Sequence, residues 1–268
     1  MPKTTDLIYV LGKGSRWQNR EIRYSLRSVA KNLKGVGRIF VVGENPGFLS
    51  DKVTHIPVRE PFDPRFNPAG NIITKILAAE KAGVTGDFLL MNDDFIVLQP
   101  IHCNDVPVLH KGRFSNYDQR KYFNNGNYRL RMKKTFGILS DRGVDAYNFG
   151  VHVPMPMNMQ TIKQMLGSIN WKEGVGISLR TIYGNLKVPK SEYVRLQDQK
   201  KTVYSHYSLE QLEARFTGVV FMAFNDRGLN RDLKKFLRTT FPDQSKYESG
   251  PDVVKPKPLV SKRRSIFN

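Results

Sequence analysis

The stretch DFLLMNDDFIVLQP, residues 87–100, constrains the fold of this chain more than any other part of the sequence. The apolar run from Phe88 to Met91 predicts a buried strand, and a second apolar run begins at Phe95. Between the two runs lies an acidic turn, Asn92-Asp93-Asp94. The pattern therefore predicts a buried strand that ends directly in two neighbouring carboxylates.

Carboxylates at the end of a buried strand are costly unless a positive partner offsets their charge. Metal ions, and phosphates held through a metal, are the usual partners of such a pair. In an open α/β sheet, ligands bind outside the carboxyl ends of the strands, which is where this turn would lie. We therefore predict a metal site on Asp93 and Asp94, with Asn92 beside the bound ligand. The alternative is that the two aspartates only cap a turn.

The length of 268 residues is enough for one large domain or two small ones. No apolar run approaches the roughly 18 residues that a membrane span needs, and the first residues do not have the pattern of a signal peptide. The single cysteine, Cys103, fits a reducing compartment. These features predict a soluble, cytoplasmic protein.

The net charge of +19 is unevenly distributed. Residues 1–110 are nearly balanced, so residues 111–268 hold most of the excess positive charge. This division indicates a nucleotide-binding core joined to a surface that faces a polyanion, such as nucleic acid or anionic lipid. A solvated basic face without a partner is the alternative.

The order of predicted elements favours an α/β fold with a mainly parallel sheet and helices on both faces, followed by a basic and mostly helical part. The predicted strands are residues 6–11, 38–42, 53–58, 88–91 and 95–98. The predicted helices are residues 19–33, 71–82, 157–166, 174–183, 208–215 and 229–239. We expect residues 1–110 to form the ligand-binding core, residues 111–248 to complete the same domain, and residues 249–268 to form a disordered basic tail.

Two groups near the first strand are candidates for phosphate binding. Gly12 and Lys13 follow the strand in a glycine loop that can approach a ligand closely. Arg23 and Arg27 lie one turn apart on the next helix, where one face can reach phosphate oxygens. Ordinary solvated arginines are the alternative for this pair.

The segment 111–134 mixes basic and aromatic residues, and its asparagines and glycine predict a mobile loop or ribbon. This composition suits a nucleic-acid strand, through phosphate contacts and base stacking. A lid over a sugar nucleotide is the alternative. The basic candidates for nucleic-acid binding are Arg129, Arg131, Lys133 and Lys134.

Four segments, in order along residues 5–248, together resemble the Stealth proteins, the sugar-phosphate transferases of capsule synthesis and of lysosomal enzyme tagging. The segments are NREIRYSLRSV with RIFVVGENPGFL, FLLMNDDFIVLQP, VHVPMPMN with Ser178-Leu179-Arg180, and FNDRG with FPDQSKYE. The loop Gly12-Lys13-Gly14-Ser15 differs, because the family usually has an acidic residue there.

The resemblance implies a nucleotide-sugar donor and a core like that of the GT-A glycosyltransferases. A nucleoside diphosphate leaving group needs its charge neutralised, and a divalent metal (Mn²⁺ or Mg²⁺) on carboxylates can do this. It places Asp93 and Asp94 on the acidic motif, His152 on the family histidine and Arg180 on the family arginine. Histidine is a suitable base for an acceptor hydroxyl, and arginine can bind phosphate oxygens in a bidentate manner. Asp94, His152 and Arg180 are therefore the candidate catalytic residues.

We expect a glycosyltransferase that uses a nucleoside diphosphate sugar, and the basic second part favours a modified base in DNA as the acceptor. One alternative is a hexose-1-phosphate transferase that acts on a polysaccharide. The other is a nucleic-acid-binding protein on an inactive transferase fold.

Overall fold

The computed structural model describes residues 4–13, 15–116 and 126–250. The strands are β1 (Thr5–Leu11), β2 (Leu33–Lys34), β3 (Val36–Gly43), β4 (Val53–Ile56), β5 (Asp87–Met91), β6 (Phe95–Val97), β7 (Ile101–His102), β8 (Val108–His110), β9 (Met155–Asn158), β10 (Tyr193–Arg195), β11 (Lys200–Val203) and β12 (Phe221–Phe224). The α-helices are α1 (Glu21–Asn32), α2 (Pro68–Lys81), α3 (Asn127–Ser140), α4 (Met159–Leu166), α5 (Leu179–Lys187), α6 (Leu209–Phe216) and α7 (Arg231–Thr240).

The main sheet has five strands in the order β4-β3-β1-β5-β9. Its first four strands are parallel, and β9 runs antiparallel to β5. Ile8 of the central strand pairs with Phe40 on one side and with Leu90 on the other. The carboxyl ends of β1, β3 and β5 consequently meet at one edge of the sheet.

Helices cover both faces of this sheet. Ile22, Leu26 and Val29 of α1 belong to the apolar core on one face. The core on the opposite face contains Ile73 and Ile76 of α2 together with residues of α3, α4 and α5. Residues that alternate along a strand enter opposite cores, since successive side chains of a strand point to opposite faces. The predicted α/β class, with a mainly parallel sheet and helices on both faces, is confirmed.

A second, three-stranded sheet has the order β11-β12-β6. Strand β6 follows the acidic turn directly and pairs antiparallel with β12. Leu212 of α6 and Leu233 and Leu237 of α7 are buried in a third core with Ile96 and Met222. Because β9 joins the main sheet and β12 pairs with β6, residues after 110 take part in the same sheets as the residues before them.

Several local predictions were wrong. Residues 127–134 form the start of helix α3 instead of a loop or ribbon, while residues 117–125 lie outside the described part of the chain. Residues 155–158 form strand β9, so helix α4 begins at Met159, two residues later than predicted. Helix α5 begins at Leu179, five residues later than predicted. Apart from Ser249 and Gly250, the predicted tail lies outside the described residues.

No helix among the described residues is long and apolar enough to cross a membrane. Cys103 is 2% exposed, and it packs in the core on the α1 face of the main sheet.

Candidate functional site

The carboxyl edge of the main sheet brings two predicted loops together. Gly12 and Lys13 follow β1, and the turn Asn92-Asp93-Asp94 follows β5, which is the direct neighbour of β1. Strand β3 ends at Gly43, which has a φ of 118°. A Cβ atom at Gly43 would lie 2.1 Å from the carbonyl oxygen of Leu11, so only glycine lets β1 and β3 end this close together.

The loop between β1 and α1 is held by its own polar contacts. The side-chain amide of Asn19 donates to the Gly12 carbonyl over 3.2 Å, and its backbone N–H donates to Ser15 Oγ over 2.7 Å. Asn19 and Gln18 both have a φ of 58°, in the left-handed region that asparagine tolerates better than most residues. Backbone strain of this kind is typical of segments that position a ligand.

The first of two clefts at this edge has a volume of about 650 Å³. Its walls are the loop after β1, the segment 59–64 and the start of α2, and Asn92 lies at one end. Lys75 and Glu60 form a largely buried ion pair here, with 2.5 Å between Nζ and Oε1. The Lys13 side chain is 79% exposed at the rim, 3.9 Å from Glu44.

The second cleft has a volume of about 260 Å³ and adjoins the first, because Pro68, Ile72 and Asn92 line both. It has apolar walls and several polar or charged groups. The other lining residues are Ala69, Leu90, Phe95, Tyr128, Arg131, Gly150, His152, Ile177, Ser178, Leu179 and Arg180. Four of the predicted site residues therefore lie in one cleft although they are far apart in the sequence: Asn92, Arg131, His152 and Arg180.

His152 and Asp94 face each other across the edge of the second cleft. The distance between His152 Nδ1 and Asp94 Oδ2 is 3.9 Å, which is an ion pair when the imidazole is protonated. The His152 side chain is 61% exposed and the Asp94 side chain 18% exposed. The imidazole is thus open to a ligand, and a carboxylate that can stabilise its protonated form is close by.

Asp93 lies in surroundings that disfavour its charged form. Burial, with smaller contributions from the Asp94 and Glu21 carboxylates, raises the pKa of Asp93 to about 8. Burial also raises the pKa of Glu21, whose Oε2 accepts a hydrogen bond from Ser15 Oγ over 2.8 Å. A cation bound at Asp93 would offset this repulsion between carboxylates.

In the described part of the chain, no group of three or more His, Cys, Asp and Glu side chains is arranged to hold a metal ion. The donor set at the turn nevertheless fits Mg²⁺ or Mn²⁺, because such ions are commonly held by one or two carboxylates, with substrate phosphates and waters as the other ligands. Asp93 and Asp94 supply the two carboxylates.

Arg180 joins the segment around His152 to the end of β5. Its guanidinium donates to the carbonyls of Val153 (2.7 Å), Val151 (3.4 Å) and Leu90 (3.3 Å). Burial lowers the pKa of Arg180 to about 10, an effect that the Asp94 carboxylate partly offsets. At this pKa the group is still positively charged at neutral pH, and it lines the second cleft.

The prediction that Arg23 and Arg27 bind phosphate was wrong. The Arg23 side chain is 3% exposed and binds Glu248 over 2.6 Å, and that of Arg27 is 7% exposed and binds the same carboxylate over 3.0 Å. Arg27 also donates to the carbonyls of Phe241 and Pro242. Both arginines therefore fix the segment 241–249 against α1.

The four basic candidates of α3 do not share one face. Arg131 lines the second cleft, and burial lowers its pKa. Lys134 Nζ donates to the Glu173 carbonyl over 2.9 Å. Lys133 is exposed and Arg129 is partly buried. At 100° per residue, Arg129 and Lys133 lie on one side of the helix, and Arg131 and Lys134 lie on the other.

Two charged residues near the acidic turn were not predicted from the sequence. Glu21 is the first residue of α1, and it is 4% exposed. Lys200 of β11 is 8% exposed and donates to the Thr202 hydroxyl. Burial, together with Lys111, lowers the pKa of Lys200 to about 8, whereas Asp94 acts in the opposite direction. The segment KKTV shows no apolar strand pattern, so no sequence signal marked Lys200 as buried.

Comparisons with known proteins show only remote similarity. No protein-family model matches the chain, and no curated protein matches it. Among solved structures, a glycosyltransferase involved in glycosylation of the major capsid of PBCV-1 is 9% identical, with a TM-score of 0.39 over 88% of this chain and 98% of that chain. The galactosyltransferase LgtC, in complex with donor and acceptor sugar analogues, is also 9% identical, with a TM-score of 0.41 over 90% of this chain and 98% of that chain. TM-scores of this size do not establish a common fold, so the function proposed below rests on the site itself.

Proposed function

We propose that this chain is a glycosyltransferase that moves a sugar from a nucleoside diphosphate sugar to an acceptor hydroxyl. The observation that carries the proposal is the pair of adjoining clefts that share Asn92, directly beside Asp93 and Asp94. A transfer reaction needs two ligands whose reacting atoms meet at one place. The first cleft is assigned to the donor and the second to the acceptor.

The donor cleft has groups suited to a sugar nucleotide. Gly12 has no side chain, so the backbone after β1 can approach a phosphate closely. Lys13 presents an exposed ammonium group at the rim. Asn92 offers an amide where the donor sugar would reach the second cleft. The resemblance of four segments to the Stealth proteins, with its implied GT-A-like core, supports the same donor class.

Asp93 and Asp94 would hold a divalent metal, Mn²⁺ or Mg²⁺, which neutralises the charge that develops on the departing diphosphate. The raised pKa of Asp93 supports this assignment, because it shows that the ionised carboxyl lacks a compensating positive charge in the protein. A bound cation would supply that charge and favour the ionised carboxyl.

His152 is the proposed general base. The acceptor oxygen forms a bond to the anomeric carbon while the bond from that carbon to the diphosphate oxygen breaks, and the proton of the acceptor hydroxyl passes to the imidazole. Asp94, 3.9 Å away, then stabilises the imidazolium. Arg180 positions this histidine by binding the carbonyls on both sides of it.

We propose a modified, hydroxymethylated base in DNA as the acceptor, because the chain carries a net charge of +19 and Arg131 lines the acceptor cleft. This acceptor requires DNA binding that weakens strongly as the salt concentration rises. Affinity that does not change between low and high salt would rule out the nucleic-acid acceptor.

A hexose-1-phosphate transferase is the second candidate, and the resemblance to the Stealth proteins favours it. The same groups would then direct the acceptor oxygen to phosphorus instead of carbon. A donor that carries ³²P at the phosphate next to the sugar separates the two reactions. Label stays with the released nucleotide after glycosyl transfer, and it appears on the acceptor after sugar-phosphate transfer.

Turnover of a panel of UDP- and GDP-sugars with Mn²⁺ tests the proposal, with hydroxymethylated DNA and a bacterial polysaccharide as acceptors. Asp94→Asn and His152→Gln should each lower turnover by at least about 100-fold, as expected for groups that act in the transition state. Asp51→Asn is the matched control, because the Asp51 side chain is 84% exposed in a remote loop. Equal turnover in Asp94→Asn and wild-type protein would contradict the proposal. DNA binding without turnover of any donor would favour an inactive binding protein.

A further inference from the structure

The acceptor cleft contains a positive charge that has no counter-charge among the residues that the structure describes. Arg131 is partly buried at the cleft wall, and burial lowers its pKa. Within residues 4–13, 15–116 and 126–250 its guanidinium makes no ion pair or hydrogen bond, and its Cζ lies over the Tyr128 ring, 5.7 Å from the centroid. None of the described residues that line this cleft is an aspartate or a glutamate.

Other cations in and near this cleft are satisfied by the protein. Arg180 donates to three backbone carbonyls, and Lys134 donates to the Glu173 carbonyl. Partial burial of a cation is unfavourable unless a counter-charge compensates it. The missing counter-charge of Arg131 therefore points to an anion that the ligand brings.

We infer that Arg131 binds a phosphate group carried by the acceptor, so the acceptor is a phosphorylated sugar or a nucleotide unit. This inference rests on the proposed function, because it takes the second cleft as the acceptor site. The planar guanidinium can bind two phosphate oxygens at once, which an ammonium cannot do. Tyr128, 44% exposed beside Arg131, offers a ring against which the sugar or base of the acceptor can pack.

Paired probes that differ only in a phosphate test this inference. Glucose is compared with glucose 6-phosphate, and thymidine with thymidine 5′-monophosphate, by calorimetric titration with and without saturating UDP. We expect at least one phosphorylated probe to bind about tenfold more tightly than its partner, the gain expected from a charge-assisted hydrogen bond. The pair that shows the preference identifies a sugar or a nucleotide as the source of the phosphate.

Three variants assign the preference to Arg131. Arg131→Gln should abolish it, and Arg131→Lys should keep part of it because the charge remains. Lys52→Gln removes one positive charge from a side chain that is 65% exposed and lines neither cleft, and it should leave the preference unchanged. Equal binding within both pairs by the wild type, or a preference that survives in Arg131→Gln, would overturn the inference.

Binding of UDP in the same samples separates this inference from the proposed function. If UDP binds normally but the probes show no phosphate preference, the donor assignment is retained and the role of Arg131 is rejected. If UDP does not bind but the preference still depends on Arg131, the phosphate site is retained and the transferase assignment fails.

Discussion

Asp93 shows how the environment of one residue can link stability to ligand binding. The pKa of its carboxyl group is about 4 in the unfolded chain. In the folded protein this pKa is raised to about 8. Between these values the folded state binds more protons than the unfolded state, so the contribution of Asp93 to stability falls as the pH rises.

Asp93→Asn should therefore raise the melting temperature at pH 8.5 in the presence of EDTA, and the two proteins should differ little at pH 4. The same substitution should remove any stabilisation by Mn²⁺, because it removes a metal ligand. Thermal unfolding at both pH values, with EDTA and with Mn²⁺, measures the two effects. A variant that melts lower than the wild type at pH 8.5 in EDTA would show that the Asp93 carboxylate is not destabilised by its surroundings.

Lys200 gives stability the opposite dependence on pH to that of Asp93. The pKa of Lys200 is about 8 in the folded protein, below the usual lysine value of 10.5, so the folded state binds fewer protons between these values and stability rises with pH. Lys200→Met should remove this pH dependence and stabilise the protein below pH 8 by up to about 3 kcal/mol. Urea unfolding at pH 7 and at pH 10 tests the sign. The exposed Lys52 provides the control variant Lys52→Met, which should change neither value.

At the scale of elements, the segment 241–249 acts as a strap that joins the end of the described chain to helix α1. Glu248 binds Arg23 and Arg27, and its Oε1 accepts hydrogen bonds from the backbone N–H and the hydroxyl of Ser245. The same strap reaches the loop before β4, because Ser50 N–H donates to the Tyr247 carbonyl and Ser249 N–H donates to the Phe48 carbonyl. The Glu248 carboxylate therefore helps to hold helix α1, the strap and the loop before β4 together.

Glu248→Gln should destabilise the protein by about 3 to 5 kcal/mol, the cost of leaving two buried guanidinium groups without their counter-charge. Asp243→Asn changes an exposed carboxylate of the same strap and should cost less than about 0.5 kcal/mol. The free energy of unfolding in urea measures both. A loss below about 1 kcal/mol in Glu248→Gln would mean that water replaces the carboxylate and that the strap is not held by this ion pair.

For the whole molecule, the sequence predicted the parts that local patterns determine. Strands β1, β3 and β5 each contain a continuous apolar run that ends at glycine or at the acidic turn, and this pattern is sufficient to indicate a mainly parallel sheet. Strand β11 was missed because its sequence, KKTV, buries a lysine that no local pattern distinguishes from an exposed one. Helix α3 was missed because the asparagines and glycine before it dominated the prediction.

The position of a candidate residue could be predicted from the sequence where a strand end determines it, but not where contacts between distant parts of the chain do. Asp93 and Asp94 follow a parallel strand, so the edge of the sheet fixes their place. The resemblance to the Stealth proteins named His152 and Arg180, and the structure brings both to the same cleft. Arg23 and Arg27 were assigned to a ligand because their partner, Glu248, lies more than 200 positions away in the sequence. Such a pairing becomes visible only when the chain is folded.

Binding of UDP measured by calorimetry, with and without Mn²⁺, tests the central claim most directly. We expect UDP to bind the wild type at least tenfold more tightly with Mn²⁺ than with EDTA. We also expect this gain to disappear in Asp93→Asn/Asp94→Asn and to persist in the control Asp51→Asn. If UDP does not bind, or if the Mn²⁺ gain persists without both carboxylates, the acidic turn after β5 is not the centre of a sugar-nucleotide site.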